Sequence, residues 1–294
     1  MKDKDQYIYI YIVTYKKNDM LNKNLASLWS STKSKNFSVT ILANHPDIDI
    51  EPHNMRKNVK VIINNTRMPY AWGNLSKDWN FCILDCFKNY ENPLGIDWCV
   101  LAQNDVTWVE GWDKWLKNNS NYDLISQPRG DQSIALNINA VKRIGFFDER
   151  LTTLHFHEID YFIRALLSIP NNISINDDHG AHNLSINNVG NVITNTHACG
   201  FNTDECLHNS KNWEESKDYI EKKWGIDILD MTAQYVLENS QKLKERQNEI
   251  NWYPFFWEAI AYNQLHHETN TGRGGMFSKA KKIFKYLYKN KMSE

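Results

Sequence analysis

The sequence predicts an α/β fold, with a mostly parallel central sheet flanked by helices and a helical extension at the C-terminal end. Two observations carry this expectation. Residues 7–15, 37–43, 59–63 and 98–102 are short, nearly unbroken apolar runs rich in β-branched and aromatic residues, as strands buried on both faces are. Segments with helical spacing lie between several of them. Strand–helix–strand alternation of this kind builds a parallel sheet covered on both faces.

The elements follow in order. After the first strand, Asn18 and Asp19 are N-cap types, and Leu21, Leu25, Leu28 and Trp29 then recur at helical spacing. Strands at 37–43 and 59–63 follow. Residues 75–86 read as a helix with Trp79, Ile83 and Cys86 inward, and 98–102 as a fourth buried strand ending at Gln103-Asn104-Asp105. The middle of the chain is less regular. Short strands are expected at 124–126, 134–136, 173–176 and 192–195. Helices are expected at 139–144, stopped by Gly145, and at 158–167, stopped before Pro170. A polar helix at 211–223 ends at Trp224-Gly225, and from about residue 230 the chain reads mainly as helix. This places one domain over residues 1–228 and the extension over 229–294.

Composition narrows the function. The chain has 294 residues, 41% hydrophobic and 23% charged, which excludes wholesale disorder. Net charge is −1, so the chain as a whole offers no field for nucleic acid. No apolar run near the start is long enough for a membrane span or patterned as a signal peptide. Five cysteines, unevenly spaced and without a Cys-x-x-Cys, indicate neither a disulfide framework nor a zinc ribbon, and a reduced cytoplasmic compartment is expected. Residues 271–294 carry seven basic residues and one acid. There Phe277, Ala280, Phe284, Leu287 and Tyr288 share a helical face among lysines. Such a helix, within residues 272–294, suits an anionic membrane surface and makes the protein peripheral; the alternative is a terminal helix docked on its own domain.

Open parallel sheets bind ligands beyond the carboxyl ends of their strands. That rule selects Thr14 and Tyr15, Asn44 and His45, residues 64–67 with Arg67, and Gln103-Asn104-Asp105. No Gly-x-Gly-x-x-Gly, P-loop or nucleophile elbow is present, which disfavours a dinucleotide dehydrogenase, a P-loop NTPase and an α/β-hydrolase. Asp105 can hold Mg²⁺ or Mn²⁺ against a diphosphate, or cap a turn. Glu158 and Asp160 start a helix two positions apart, so they point in different directions. One can face a cleft as a general base while the other pairs with Arg164. His179, His182 and His197 each follow an expected strand, as metal ligands or as hydrogen-bonded structural histidines.

These segments together resemble the inverting, family 2-type nucleotide-sugar glycosyltransferases of the GT-A fold, a Rossmann-like architecture. The opening Ile12-Val13-Thr14-Tyr15 with Leu25-Ala26-Ser27-Leu28 resembles that family's first strand and helix. Ile41-Leu42-Ala43-Asn44 resembles its second strand, and Gly73 to Trp79-Asn80 its donor-facing helix. Gln103-Asn104-Asp105 with Gly111-Trp112 resembles its Asp-x-Asp and Gly-Trp. Gly145-Phe146-Phe147-Asp148-Glu149 resembles the Gly-x-Phe-Asp-Glu turn near the acceptor. His157-Glu158-Ile159-Asp160 with Arg164 resembles Glu-Asp-x-Asp-Leu…Arg, and Lys223-Trp224-Gly225 a downstream Lys-Trp-Gly. The matches run in the family's order from about residue 7 to 225.

The resemblance implies transfer of a sugar from a nucleotide-diphosphate donor to a glycan, glycolipid or glycoprotein acceptor. Glu158 falls at the base position and Asp160 beside it as a supporting acid. Thr14, Tyr15, Asn44, Arg67, Lys77, Asn80, Gln103, Asn104 and Asp105 would contact the donor. Asp105 with His182 or His197 would hold a divalent cation, Mn²⁺ or Mg²⁺. Two positions depart from the family. Ala43 replaces the strand-two acid, with Asn44 as a substitute, and Gln103 replaces the first acid of Asp-x-Asp, so metal affinity should fall, with Lys77 or Arg67 as a stand-in cation. The same departures suit an alternative, a degenerate domain that binds a glycan or nucleotide without turnover. A nucleotidyltransferase is disfavoured, because Thr14-Tyr15-Lys16-Lys17-Asn18 contains no glycine.

Overall fold

A computed structural model of the chain describes residues 6–64, 75–87, 98–127, 132–151, 156–177, 183–195 and 210–249. In chain order the elements are β1 (Ile8–Thr14), α1 (Asn18–Ser31), β2 (Phe37–Ala43), β3 (Val59–Ile63), α2 (Leu75–Phe87), β4 (Trp98–Gln103), β5 (Val106–Trp108) and α3 (Trp112–Asn118). They continue with β6 (Leu124–Gln127), β7 (Ser133–Leu136), α4 (Ile138–Ile144), α5 (Phe156–Ser168), β8 (Ile173–Ser174), β9 (Ile193–Asn195), α6 (Ser210–Trp224), α7 (Ala233–Glu238) and α8 (Ser240–Glu249).

Among the described residues seven strands form one sheet in the order β3-β2-β1-β4-β7-β6-β8, and β5 pairs with β9 in a separate ribbon. β3, β2, β1 and β4 are parallel, β7 runs antiparallel to both β4 and β6, and β8 is parallel to β6. The expected α/β class with a mostly parallel sheet is therefore what the chain forms. The strand β5 and the helix α3 are absent from the sequence expectation; three residues and seven residues are too short to carry a periodic signal of their own.

Alternation along the strands divides the interior into two layers. Ile8, Ile10 and Ile12 of β1 and Trp98, Val100 and Ala102 of β4 face Leu21, Leu25 and Leu28 of α1. Tyr11 and Val13, with Cys99 and Leu101, face the opposite layer, where Trp79, Phe147, Phe156, Tyr161 and Trp224 pack. Every residue of α5 from Phe156 to Leu167 is buried, so this helix runs through the middle of that layer. Ile228, Met231, Val236 and Leu243 belong to the same cluster, so the first helices beyond residue 228 pack on α5.

Local chemistry sets the helix ends. Asn137 caps α4 by accepting from the backbone N–H of Asn139 and Ala140, and Gly145 follows with φ +88°. The expected cap of α1 is different: Asn18 lies inside the helix, Lys17 precedes it without a side-chain bond, and the Asn18 amide donates to the Asp47 carbonyl. Among the described residues no helix is long and apolar enough to cross a membrane. Residues 272–294, expected at a membrane surface, lie outside the described residues.

Candidate active site

Register brings the carboxyl ends of the parallel strands level. Thr14 pairs with Ala43, and Val13 with Gln103, so the next residues of all three strands emerge at one edge. There the Asn104 amide donates to Thr14 Oγ1 at 3.0 Å, and the Asn44 N–H donates to the Thr14 carbonyl at 2.9 Å. Asn24 of α1 supports the turn after β4: its amide donates to the Gln103 carbonyl at 3.0 Å while its oxygen accepts from the Trp108 indole at 2.9 Å. Tyr15 is half-buried beside His45, ring edge to ring face at 6.2 Å, with the Lys16 ammonium 5.0 Å from its centroid. Burial holds the His45 imidazole below its ordinary pKa.

Asn44, expected to substitute for an acid at the end of β2, does not stand alone there. Its amide donates to Asp78 Oδ2 of α2 at 2.6 Å, and its oxygen accepts from Asn64 at 2.8 Å. Asn64 reaches Asp78 Oδ1 at 3.4 Å. A buried carboxylate thus does stand at the end of β2, but α2 delivers it. Nothing in the sequence pattern signalled Asp78, which reads as an ordinary first-turn acid.

Asp105 is buried directly after β4. The alternative partners expected for it at a metal, His182 or His197, lie outside the described residues, as does Arg67. Among the described residues no three His, Cys, Asp or Glu side chains converge to hold a metal.

The next turn of α2 meets the Gly145–Glu149 segment. Asn80 accepts from the Phe147 N–H at 2.8 Å and donates to the Phe147 carbonyl at 2.9 Å, while the same amide nitrogen lies 3.0 Å from Glu149 Oε1. Both ends of the Asn80 amide are engaged within the protein, so it fixes the turn and aims Glu149. Burial pushes the Glu149 carboxyl up to about 7, against the Asn80 bond and the nearby Lys77 and with help from Asp148 and Asp78. A half-buried carboxylate with a near-neutral pKa is poised for proton transfer. Glu149 was visible only as part of a motif, because its pKa is a tertiary property.

Glu158 lies in the first turn of α5, fully buried, with His157 Nδ1 3.2 Å from its Oε2. The His157 ring packs on Trp79 and Phe147 at 5.2 and 6.2 Å, which seats this turn against α2 and the 145–149 segment. Asp160 points elsewhere. Its Oδ2 accepts from Arg164 Nε at 3.0 Å, and its Oδ1 accepts from the Trp224 indole at 3.0 Å and pairs with Lys223. Lys223 also bridges to Asp148 Oδ2 at 3.0 Å, which Tyr219 and Arg150 bond as well. Burial would raise the Asp148 carboxyl, but Lys223, Arg150 and Tyr219 together hold it below the usual carboxylate range.

Two groups of expected site residues emerge. Thr14, Tyr15, Asn44, Gln103, Asn104 and Asp105 sit at the strand edge, and Lys77, Asn80, Glu158 and Asp160 sit on α2 and α5. Asp78 joins them, bonded to Asn44 and near Glu149.

No family model matches the chain, and no curated protein matches it in sequence. Among solved structures it is similar to S. aureus TarS 1–349 in complex with UDP-GlcNAc, at 14% identity and TM-score 0.40 over 59% of this chain and 56% of that one. It is also similar to S. aureus TarS, at 12% identity and TM-score 0.38 over 59% of this chain and 35% of that one. A third similarity is to the glycosyltransferase GlyE in Streptococcus pneumoniae TIGR4, at 10% identity and TM-score 0.30, over 47% of this chain and 36% of that one. This chain spans less than two thirds of each of those structures. Likenesses this remote leave the functional reading to the residues themselves.

Proposed function

We propose that this chain is a glycosyltransferase that moves a sugar, with inversion, from a nucleotide-diphosphate donor to a hydroxyl of a glycan, glycolipid or glycoprotein. The observation supporting it most is that the resembling motifs meet in space: Thr14 bonds both Asn104 and Asn44, Asn44 bonds Asp78, and the Asp78 charge acts on Glu149. In this reading Thr14, Tyr15, Asn44, Gln103, Asn104 and Asp105 line the donor side. Lys77 and Arg67 offer positive charge to the diphosphate. Glu158 accepts the proton of the acceptor hydroxyl, whose oxygen attacks the anomeric carbon from the face opposite the diphosphate. The anomeric carbon–oxygen bond breaks with its electron pair leaving on the diphosphate. Asp160 and Asn80 position rather than react. Asp105, with His182 or His197, is the proposed holder of a divalent cation, which would neutralise the leaving charge. Residues 229–294 are proposed as an extension, with 272–294 on the cytoplasmic face of an anionic membrane.

The test is a thermal-shift and product assay with UDP-, GDP-, CMP- and dTDP-sugars, each with Mn²⁺ and with EDTA. One donor class should raise the melting temperature by mass action and be consumed when acceptor is added. No shift with any donor overturns the reading. Ala43 and Gln103 favour a second reading, the non-catalytic binding module, which predicts a donor shift without turnover.

A further inference from the structure

Lys223 is 2% exposed as a residue and its ammonium meets two buried carboxylates from different segments: Asp148 of the 145–151 turn at 3.0 Å, and Asp160 of α5. The arrangement is held from all sides. Arg150 clamps Asp148 through Nε and Nη2, both at 2.9 Å, Arg164 holds the other oxygen of Asp160, and Tyr219 and Trp224 each bond one carboxylate. Arg246 of α8 bonds the main-chain carbonyls of Lys222 and Lys223, which anchors this end of α6. Gly225 stands with φ +73° where an added Cβ would come 2.7 Å from the Arg246 guanidinium carbon, so the glycine makes room for that anchor. Each residue of Lys223-Trp224-Gly225 thus serves one junction.

A buried ion bridge is a poor way to gain stability, because desolvating the charges offsets their attraction; a well-packed apolar cluster does as well or better. What charged, directional contacts do supply is a defined geometry between the parts they join. The parts here carry the two glutamates beside the reaction site: Glu149 follows Asp148 directly, and Glu158 precedes Asp160 by two residues on the same helical turn. We infer that Lys223 is a positioning residue, whose bridge between Asp148 and Asp160 sets the relative placement of Glu149 and Glu158 for proton transfer. The inference rests on the glycosyltransferase reading. The groups facing the ammonium are Asp148 from the turn, Asp160 and Arg164 from α5, and Tyr219 from its own helix, with Arg150 acting through Asp148. Burial brings Lys223 down to about 8, opposed by Asp160 and Asp148, so the bridge weakens just above neutral pH.

The experiment compares wild type, Lys223→Arg, Lys223→Met and the charge-balanced double variant Lys223→Met with Asp148→Asn. Melting temperature, donor Kd, and kcat from pH 6 to 9.5 are measured for each folded protein. Misplacing a reacting group by ~1 Å costs on the order of 10²-fold in rate, so both Met variants should lose kcat by about 10- to 100-fold with donor Kd unchanged. Wild type should show an alkaline fall in kcat centred near pH 8 that Lys223→Arg lacks, because a guanidinium stays charged. A merely structural Lys223 would lower the melting temperature and leave kcat per folded molecule and its pH profile unchanged, and that result overturns the inference. Wild type that transfers no sugar from any donor removes the transferase reading and this role with it. Wild type that transfers, alongside variants that transfer equally well, removes this role alone.

Discussion

Replacing Glu149 by Gln should change how stability depends on pH. The carboxyl titrates at about 7 in the fold and at 4.5 when unperturbed, because burial penalises its charge more than Asn80 and Lys77 relieve it. Between those pH values the native state holds a proton that the unfolded chain has released. Stability from this group is therefore complete below pH 4.5 and is lost as pH rises through 7. At 1.36 kcal/mol per pH unit the loss is about 3 kcal/mol. Gln preserves the shape and still offers an oxygen to the Asn80 amide, but it does not titrate. Urea unfolding of both proteins at pH 4.5, 5.5, 6.5 and 7.5 should give nearly equal stabilities at the lowest pH. The variant should gain steadily, becoming about 3 kcal/mol more stable than wild type above pH 7. Two unfolding free energies that keep a constant gap, within about 0.5 kcal/mol, across the whole range would refute the reasoning. The same substitution tests function, since a carboxyl whose charge burial penalises this strongly is expected where chemistry moves a proton.

Three further outcomes are expected. Glu158→Gln should reduce transfer by about 10²-fold or more while leaving donor affinity nearly intact, measured by turnover beside donor titration; equal loss of both would remove Glu158 as the base. Asp105→Ala should weaken donor binding and abolish any difference between Mn²⁺ and EDTA in the donor melting shift, and an undiminished metal response would exclude Asp105 as a ligand. Gly225→Ala should cost about 1–2 kcal/mol from the left-handed backbone alone, seen as a lowered urea midpoint, and would displace Arg246 from the end of α6; an unchanged midpoint would count against the strain.

The parallel half of the sheet was legible because burial on both faces leaves its mark on consecutive residues. β1, β2 and β3 fall within a residue of the expected runs, and Gly145 and Gly225 end their helices where expected. The other half was less legible. β7 runs antiparallel between β4 and β6, and β5 seeks out β9, from residues 106–108 to 193–195, a pairing that short strands do not announce. The candidate site divides in the same way. That Thr14, Asn44, Asn104 and Asp105 stand at one edge of the sheet was legible because each follows or ends a buried apolar run. Asp160 was read as one of two alternatives, and its bond to Arg164 four residues on is the one that forms.

Local pattern is therefore what the chain states outright: which runs are buried, where helices stop, and which polar residues end the strands. Partnership between distant residues was left to the packing. Asp78 comes to stand at the end of β2 because α2 brings it there, 34 residues from Asn44 to Asp78 along the chain. Asp148, Asp160 and Lys223 become one bridge because α6 packs on α5, bringing charges together across a separation of 75 residues. Burial, which moves Glu149 to about 7, depends on neighbours contributed by α2 and by its own turn. Hydrophobic periodicity is a property of a dozen consecutive residues; charge pairing and desolvation are properties of a place, and only the folded chain makes the place.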